Sequence, residues 1–100
     1  MKNIVLICSA GMSTSLLVNK MKEYCEKVNY NANINAYGMA EIDQYGPDAD
    51  IILLGPQVRF NLGKIQSQFP YKEIQVIEMV DYGMMNGEKV MKKVIETIGE

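Results

Sequence analysis

The sequence predicts an α/β fold, a single small open sheet of four parallel strands with helices on both faces. Four short apolar segments alternate with four segments of helical periodicity along the 100 residues, and such alternation is typical of a parallel sheet. Apolar residues make up 48% and charged residues 22% of the chain, as in globular domains. The length predicts one domain over residues 1–100, large enough to bury a core without disulfides or a metal.

The strands are predicted from their apolar patterns. Ile4–Ile7 and Ile51–Leu54 are apolar on both faces, which is typical of strands buried on both sides. Asn33–Tyr37 alternates weakly and predicts an edge strand, and Ile74–Met79 predicts a fourth strand. The two most apolar strands belong in the centre, so we expect the strand order 2-1-3-4 with right-handed crossovers, a small flavodoxin-like arrangement.

The helices are predicted from apolar periodicity and capping residues. Ser13 is the expected N-cap of the first helix and Asn86 that of the last. A short helix is expected over Met39–Tyr45, a third helix begins near Pro56, and residues 81–86 are expected to form a turn-rich loop. The apolar faces of the three longer helices are Leu17, Met21, Tyr24, Cys25 and Val28; Val58, Leu62, Ile65 and Phe69; and Val90, Met91, Val94, Ile95 and Ile98.

Charge and composition exclude several functions. Ten basic residues are scattered among twelve acidic ones, for a net charge of −2, which disfavours nucleic-acid binding. Histidine is absent, which excludes Ser-His-Asp and Cys-His pairs, a phosphohistidine carrier and most zinc sites. We expect neither a metal nor a cofactor. The apolar run ending at Cys8 is too short for a secretory signal or a membrane span, so we expect a cytoplasmic protein with reduced thiols.

Cys8 is the candidate nucleophile. It ends the first buried strand, at the switch point between strands one and three where open α/β sheets bind ligands. The following residues are small or polar and lead into a helix, so their amides and the helix end can hold an anion beside the sulfur. Cys25 lies on an apolar helix face, which predicts a core role. The predicted phosphate-binding loop consists of Ser9, Ala10, Gly11, Met12, Ser13 and Thr14.

The loop lacks the arginine that a cysteine phosphatase needs. A phosphatase loop has cysteine, five residues and then arginine, and here that last position is Thr14. Hydrolysis requires a fixed guanidinium on the transferring phosphoryl group, so this loop is interpreted as one that accepts a phosphoryl group and passes it on. Two alternatives stay open: a low-molecular-weight cysteine phosphatase or arsenate-reductase-like enzyme, and a non-enzymatic thiol sensor or binding module.

Three segments resemble one known family. Ile4–Ser15 (IVLICSAGMSTS), Asp50–Phe60 (DIILLGPQVRF) and Asp81–Gly87 (DYGMMNG) are similar to segments of the IIB components of the bacterial sugar phosphotransferase system, in its lactose/cellobiose (chitobiose) family. The resemblance covers nearly the whole chain. It implies a transferase that uses a phosphocysteine intermediate.

The resemblance also implies partners. A phosphohistidine on a IIA protein would donate its phosphoryl group to Cys8, and the phosphocysteine would donate to a β-disaccharide of cellobiose or chitobiose type held by a membrane IIC component. The protein would then dock transiently on IIC at the inner face of the membrane. Methionine suits surfaces that accept more than one partner, and the expected docking residues are Met12, Met39, Val58, Tyr82 and Met84.

Overall fold

The computed structural model describes residues 1–8 and 12–99, with the backbone alone for Met12 and Ser13. Two short 3-10 segments, Met39–Glu41 and Pro56–Asn61, lead into the second and third helices. Within these ranges the strands and α-helices are β1 (Lys2–Cys8), α1 (Met12–Lys27), β2 (Ala32–Gly38), α2 (Ile42–Tyr45), β3 (Ile51–Leu54), α3 (Leu62–Gln68), β4 (Glu73–Val76), α4 (Met79–Gly83) and α5 (Gly87–Ile98).

The four strands form one parallel sheet in the order β2-β1-β3-β4, which confirms the predicted fold class. β1 and β3 occupy the centre because their side chains are apolar on both faces. The register places Cys8 beside Gly38 of β2 and Ile7 beside Leu54 of β3. The backbone amide of Gly55 also donates to the Ile7 carbonyl at 2.9 Å. The carboxyl ends of β1, β2 and β3 therefore meet at Cys8.

Alternate side chains of the sheet enter two separate cores. On one face, Ile4, Leu6 and Cys8 pack with residues of α1 and α5, such as Leu17 and Met91. On the other face, a second set of strand residues packs with the segments that contain α2 and α3; its buried members are Val5, Ile7, Ile42, Ala49, Ile52, Leu54, Val58, Ile65 and Ile74. Helices therefore cover both faces, as the alternating pattern predicts.

The first helix differs from its prediction at both ends. It begins at Met12, so Ser13 lies inside its first turn, and the prediction of Ser13 as N-cap is wrong. At the other end, α1 stops at Lys27, and Val28 beyond it is exposed. Val28 is therefore not part of the buried face. The last helix follows its prediction, because the Asn86 side chain accepts a hydrogen bond from the Lys89 amide at 3.1 Å.

The segment after the fourth strand also differs from its prediction. β4 ends at Val76, and Met79–Gly83 forms the short helix α4 where the sequence predicted strand and then loop. Asp81 and Tyr82 of α4 are buried, whereas Met79 and Val80 are exposed. The apolar residues at 77–80 therefore do not extend β4, because Ile77 is the only one of them that is buried in the core. This short helix brings the Tyr82 hydroxyl to Thr14 in the first turn of α1.

Candidate active site

Cys8 lies at the carboxyl end of the central strand β1 and is 3% exposed. It opens onto a cleft of about 320 Å³ above the ends of β1 and β2. The described residues that line this cleft are Cys8, Thr14, Ser15, Ala36, Tyr37, Gly38 and Glu41. A reacting group can therefore approach Cys8 from this cleft, which lies at the sheet edge that the strand order predicted.

Gly55 lies close to the sulfur of Cys8. A Cβ atom at this position would lie 2.7 Å from Cys8 Sγ and 2.7 Å from Gln57 Oε1. The missing side chain lets the segment after β3 approach the sulfur closely. The Gln57 side chain, for which the sequence predicted no role, thus lies near Cys8. The sequence signals for these two residues were their position after a buried strand and their place in the family-like segment Asp50–Phe60.

Thr14 stands in the first turn of α1 and is 1% exposed. Its hydroxyl oxygen lies 3.0 Å from the hydroxyl of Tyr82, in a buried hydrogen bond. The position at which a phosphatase would have an arginine therefore carries a buried hydroxyl and no charge.

Part of the predicted loop is not described. Ser9, Ala10 and Gly11 lie outside the described residues, as do the side chains of Met12 and Ser13. The helix that follows begins at Met12, close to Cys8 along the chain. The prediction that these amides hold a phosphoryl group therefore stays a prediction.

Three of the five predicted docking residues are buried or partly buried. Val58 and Tyr82 are buried in opposite cores, so the prediction that they form a docking surface is wrong. Met39 is partly buried against the core that contains Val58. Met84 is 74% exposed and is available to a partner, whereas the side chain of Met12 lies outside the described part.

Two charged residues near the site have structural partners. Arg59 donates to the Pro56 carbonyl at 2.9 Å and lies over the Phe60 ring at 4.6 Å. The buried carboxylate of Asp81 pairs with Lys89 Nζ at 3.4 Å. This pair links α4 to α5, which agrees with a structural role for Asp81.

The described residues hold no apparent site for a metal. Between residues 1–8 and 12–99, no group of three Cys, Asp or Glu side chains is arranged to hold an ion. In the same ranges, the helices are all too short or too polar to cross a membrane.

Cys25 is a core residue, as predicted. It is 5% exposed and packs with Leu17 and Met21 in the same core as Cys8. Both thiols are free. Burial raises the pKa of the Cys25 thiol above its ordinary value of 9.0, because a buried thiolate loses its hydration.

This pKa shift predicts a pH dependence of stability. The unfolded chain releases the Cys25 proton more readily, so the free energy of unfolding should fall as the pH rises above 9 and be unaffected by this group below that. Cys25→Ala removes this contribution. The free energy of unfolding, measured in urea at several pH values between 9 and 10, should then fall less steeply with pH in the variant. Tyr37, whose pKa burial also raises, is retained in both proteins as an internal control. If the free energy of unfolding falls equally steeply with pH in the two proteins, the prediction is wrong.

The fold and the site together define a class of protein: a small parallel α/β domain with a thiol at the switch point of its sheet. The family model of the lactose/cellobiose-specific IIB subunit of the phosphotransferase system matches residues 3–93. The chain belongs to this family. It is therefore a phosphotransferase component of sugar uptake, and such components work with IIA and IIC proteins.

Curated relatives support the assignment over almost the full length. The oligo-β-mannoside-specific EIIB component of Bacillus subtilis (strain 168) is 42% identical over 97 residues, covering 95% of this chain and 94% of the relative. The galactose-specific EIIB component of Lactococcus lactis subsp. cremoris (strain MG1363) and the cellobiose-specific one of Lactococcus lactis subsp. lactis (strain IL1403) are each 42% identical over 97 residues. Each comparison covers 90% of both chains.

Solved structures share the fold. The cellobiose-specific IIB component from Borrelia burgdorferi superposes with a TM-score of 0.81 at 38% identity, covering 97% of this chain and 91% of the other. The lactose-specific IIB domain from Streptococcus pneumoniae has a TM-score of 0.78 at 21% identity, covering 95% of each chain. The second likeness shows the fold alone. These findings confirm the resemblance and do not favour the phosphatase and thiol-sensor alternatives.

Proposed function

We propose that Cys8 is the residue that receives and transfers the phosphoryl group. The observation that supports this most directly is its position at the carboxyl end of β1, where its sulfur meets both an open cleft and Gly55. Cys25 is buried in the core among helix residues of α1. Of the two cysteines of the chain, Cys8 lies at the switch point of the sheet, whereas Cys25 lines a separate cleft at the amino end of β2.

The proposed transfer has two steps. In the first, the sulfur of Cys8 attacks phosphorus, so that the S–P bond forms and the P–N bond of the donor phosphohistidine breaks. The thiol proton goes in effect to the leaving imidazole. In the second step a sugar hydroxyl attacks phosphorus and the S–P bond breaks. The hydroxyl proton then returns in effect to the thiol. This chemistry needs chiefly in-line positioning and stabilisation of charge, and residues 9–14 are the proposed source of both.

The proposed partners are a IIA protein with a phosphohistidine and a membrane IIC component that holds the sugar. The proposed sugar is a β-disaccharide of cellobiose or chitobiose type. Relatives with the same 42% identity have names that specify oligo-β-mannoside, galactose and cellobiose. Overall identity to these IIB relatives therefore does not determine the sugar, which supports specificity in the membrane component.

The proposed docking surface lies on α4 and its C-terminal end, and α4 is joined to the wall of the Cys8 cleft through Tyr82 and Thr14. Met79, Val80 and Met84 are exposed there, and the buried side of α4 contacts the first turn of α1 through Tyr82 and Thr14. Flexible methionine side chains can adapt to two different partners. A transient partner at the inner face of the membrane would contact this surface while the sugar hydroxyl approaches Cys8.

A labelling experiment tests the proposal. The protein is incubated with a phosphohistidine-loaded IIA protein of the lactose/cellobiose family, and the phosphate is mapped by mass spectrometry. We expect one phosphate on Cys8. The labelled protein is then isolated and divided between buffer alone and buffer with unlabelled IIA protein.

The two halves distinguish a carrier from a hydrolase. Because position 14 has no guanidinium, loss of phosphate to water should be slower than return transfer to the IIA protein. Equal or faster loss in buffer alone would instead indicate a phosphatase. Wild-type protein that takes no phosphate on Cys8 would overturn the proposed function.

A further inference from the structure

The hydrogen bond between Thr14 and Tyr82 joins two parts of the chain that are 68 residues apart. Thr14 is 1% exposed and Tyr82 is 6% exposed, so water competes little for this bond. A hydrogen bond in such an environment restrains the geometry of both partners more strongly than one at the surface. This side-chain bond links the wall of the Cys8 cleft to α4.

Thr14 needs such a restraint. A threonine in a helix divides between two side-chain rotamers, because its hydroxyl can also bond to the preceding turn of backbone. Thr14 lines the same cleft as Cys8 and lies in the first turn of α1. The Tyr82 hydroxyl at 3.0 Å selects one rotamer and places the Thr14 hydroxyl at a defined point of the cleft wall.

Tyr82 is itself held firmly. Its ring packs in the core that contains Cys8 and Leu17. The neighbouring Asp81 carboxylate pairs with Lys89 Nζ at 3.4 Å, and the Asp81 carbonyl accepts from the Asn86 amide at 2.9 Å. Both contacts connect α4 with the start of α5. Tyr82 is thus a fixed point to which the first turn of α1 is attached.

We propose that Tyr82 is a positioning residue for phosphoryl transfer, acting through Thr14 on the first turn of α1 beside Cys8. This inference rests on the proposed function of Cys8. Tyr82 touches neither the sulfur nor the phosphoryl group in this scheme. It keeps the Thr14 hydroxyl and the start of α1 in the geometry that the transition state requires, and loss of its hydroxyl lowers the rate of transfer.

Tyr82→Phe tests the inference because it removes one oxygen and keeps the ring. Single-turnover transfer to Cys8 is measured against the concentration of phosphohistidine-loaded IIA protein. We expect the maximal rate to fall about fivefold, the effect of one hydrogen bond. The half-saturating IIA concentration should stay unchanged, because a positioning residue acts on the transfer step and not on docking.

Tyr30→Phe is the matched control. Tyr30 also packs against the core that contains Cys8, and its hydroxyl donates to the Gly99 carbonyl. It lies at the amino end of β2, on the opposite edge of the sheet from Cys8. Both variants lose a tyrosine hydrogen bond, so both should melt at a lower temperature. Only Tyr82→Phe should slow the transfer, and equal rates in the two variants would overturn the inference.

Substitutions of Thr14 provide a second test. Thr14→Ser keeps a hydroxyl and should retain most of the rate, whereas Thr14→Val should slow transfer at least to the level of Tyr82→Phe. The double variant Tyr82→Phe, Thr14→Val should then be no slower than Thr14→Val alone, because the bond between the two hydroxyls is already lost. Full additivity of the two effects would show that the residues act separately and would overturn the inference.

Alkylation of Cys8 by iodoacetamide gives a readout without any partner protein. Inorganic phosphate should protect Cys8 in the wild type, and the concentration needed should rise about fivefold in Tyr82→Phe. A wild type that takes no phosphate from the IIA protein overturns the proposed function and, with it, the role of Tyr82 in that transfer. A wild type that is labelled, with Tyr82→Phe equal to it in both rate and protection, overturns the inference alone.

Discussion

Cys8→Ser should abolish phosphoryl acceptance from a phosphohistidine-loaded IIA protein. The oxygen of serine is a far weaker nucleophile than a thiolate at neutral pH, and Cys8 has the described route to the cleft at the switch point of the sheet. The measurement is the amount of phosphate bound per protein after incubation with the donor. The variant should carry no more phosphate than the same protein incubated without the donor.

Cys25→Ser is the matched control for this experiment. It makes the same chemical change at a thiol that packs in the core with Met21. A buried hydroxyl there lowers stability, but the folded variant should still take one phosphate on Cys8. Phosphate that remains on Cys8→Ser, or that disappears from folded Cys25→Ser, would show that the assignment of Cys8 is wrong.

Gly87→Ala should destabilise the protein by about 3 kcal/mol, the upper part of the range for overpacking of a closely packed site. A Cβ atom at Gly87 would lie 2.5 Å from the Lys20 carbonyl carbon and 2.5 Å from the Met21 amide nitrogen. Both are backbone atoms of α1, so no side-chain rotation relieves the clash. The whole of α5 would have to move away from α1. The free energy of unfolding in urea measures the effect.

Gly63→Ala provides the control for Gly87→Ala. Gly63 lies in the first turn of α3, and a Cβ atom there meets nothing within 4 Å. Alanine favours helix over glycine, so this variant should be more stable by up to about 1 kcal/mol. A Gly87→Ala protein that unfolds at the same urea concentration as Gly63→Ala would refute the close contact between α5 and α1.

The sequence predicted the sheet well because its signal is local. Four β-branched or leucine residues in a row at Ile51–Leu54 allow no exposed face, and the observed strand has these same bounds. The same patterns predicted the order of the strands and therefore the edge at which Cys8 lies. Cys25 was correctly placed in the core because Met21 and Leu17, four and eight residues before it, are apolar on the same helix face.

The sequence failed where one pattern fits two structures. Ile74–Met79 is as apolar as a strand, but in the folded chain β4 ends at Val76 and a helix begins at Met79. Methionine favours helix, whereas valine and tyrosine favour strand, so the composition of Met79–Gly83 gives no uniform preference. The pairing of β4 with the four residues of β3 decides where the strand stops.

The sequence by itself determined the α/β class, the strand order, the position of Cys8 and the resemblance to the IIB family, since each follows from apolar patterns and motifs that can be identified within single segments of the chain. Only the tertiary structure showed that Val58 and Tyr82 are buried, that Gly55 makes room beside the sulfur and that Tyr82 bonds to Thr14. Gly55 is 47 positions from Cys8, and Tyr82 is 68 positions from Thr14. These contacts exist because folding brings the ends of β1, β3 and β4 to one edge, and no local periodicity contains that information.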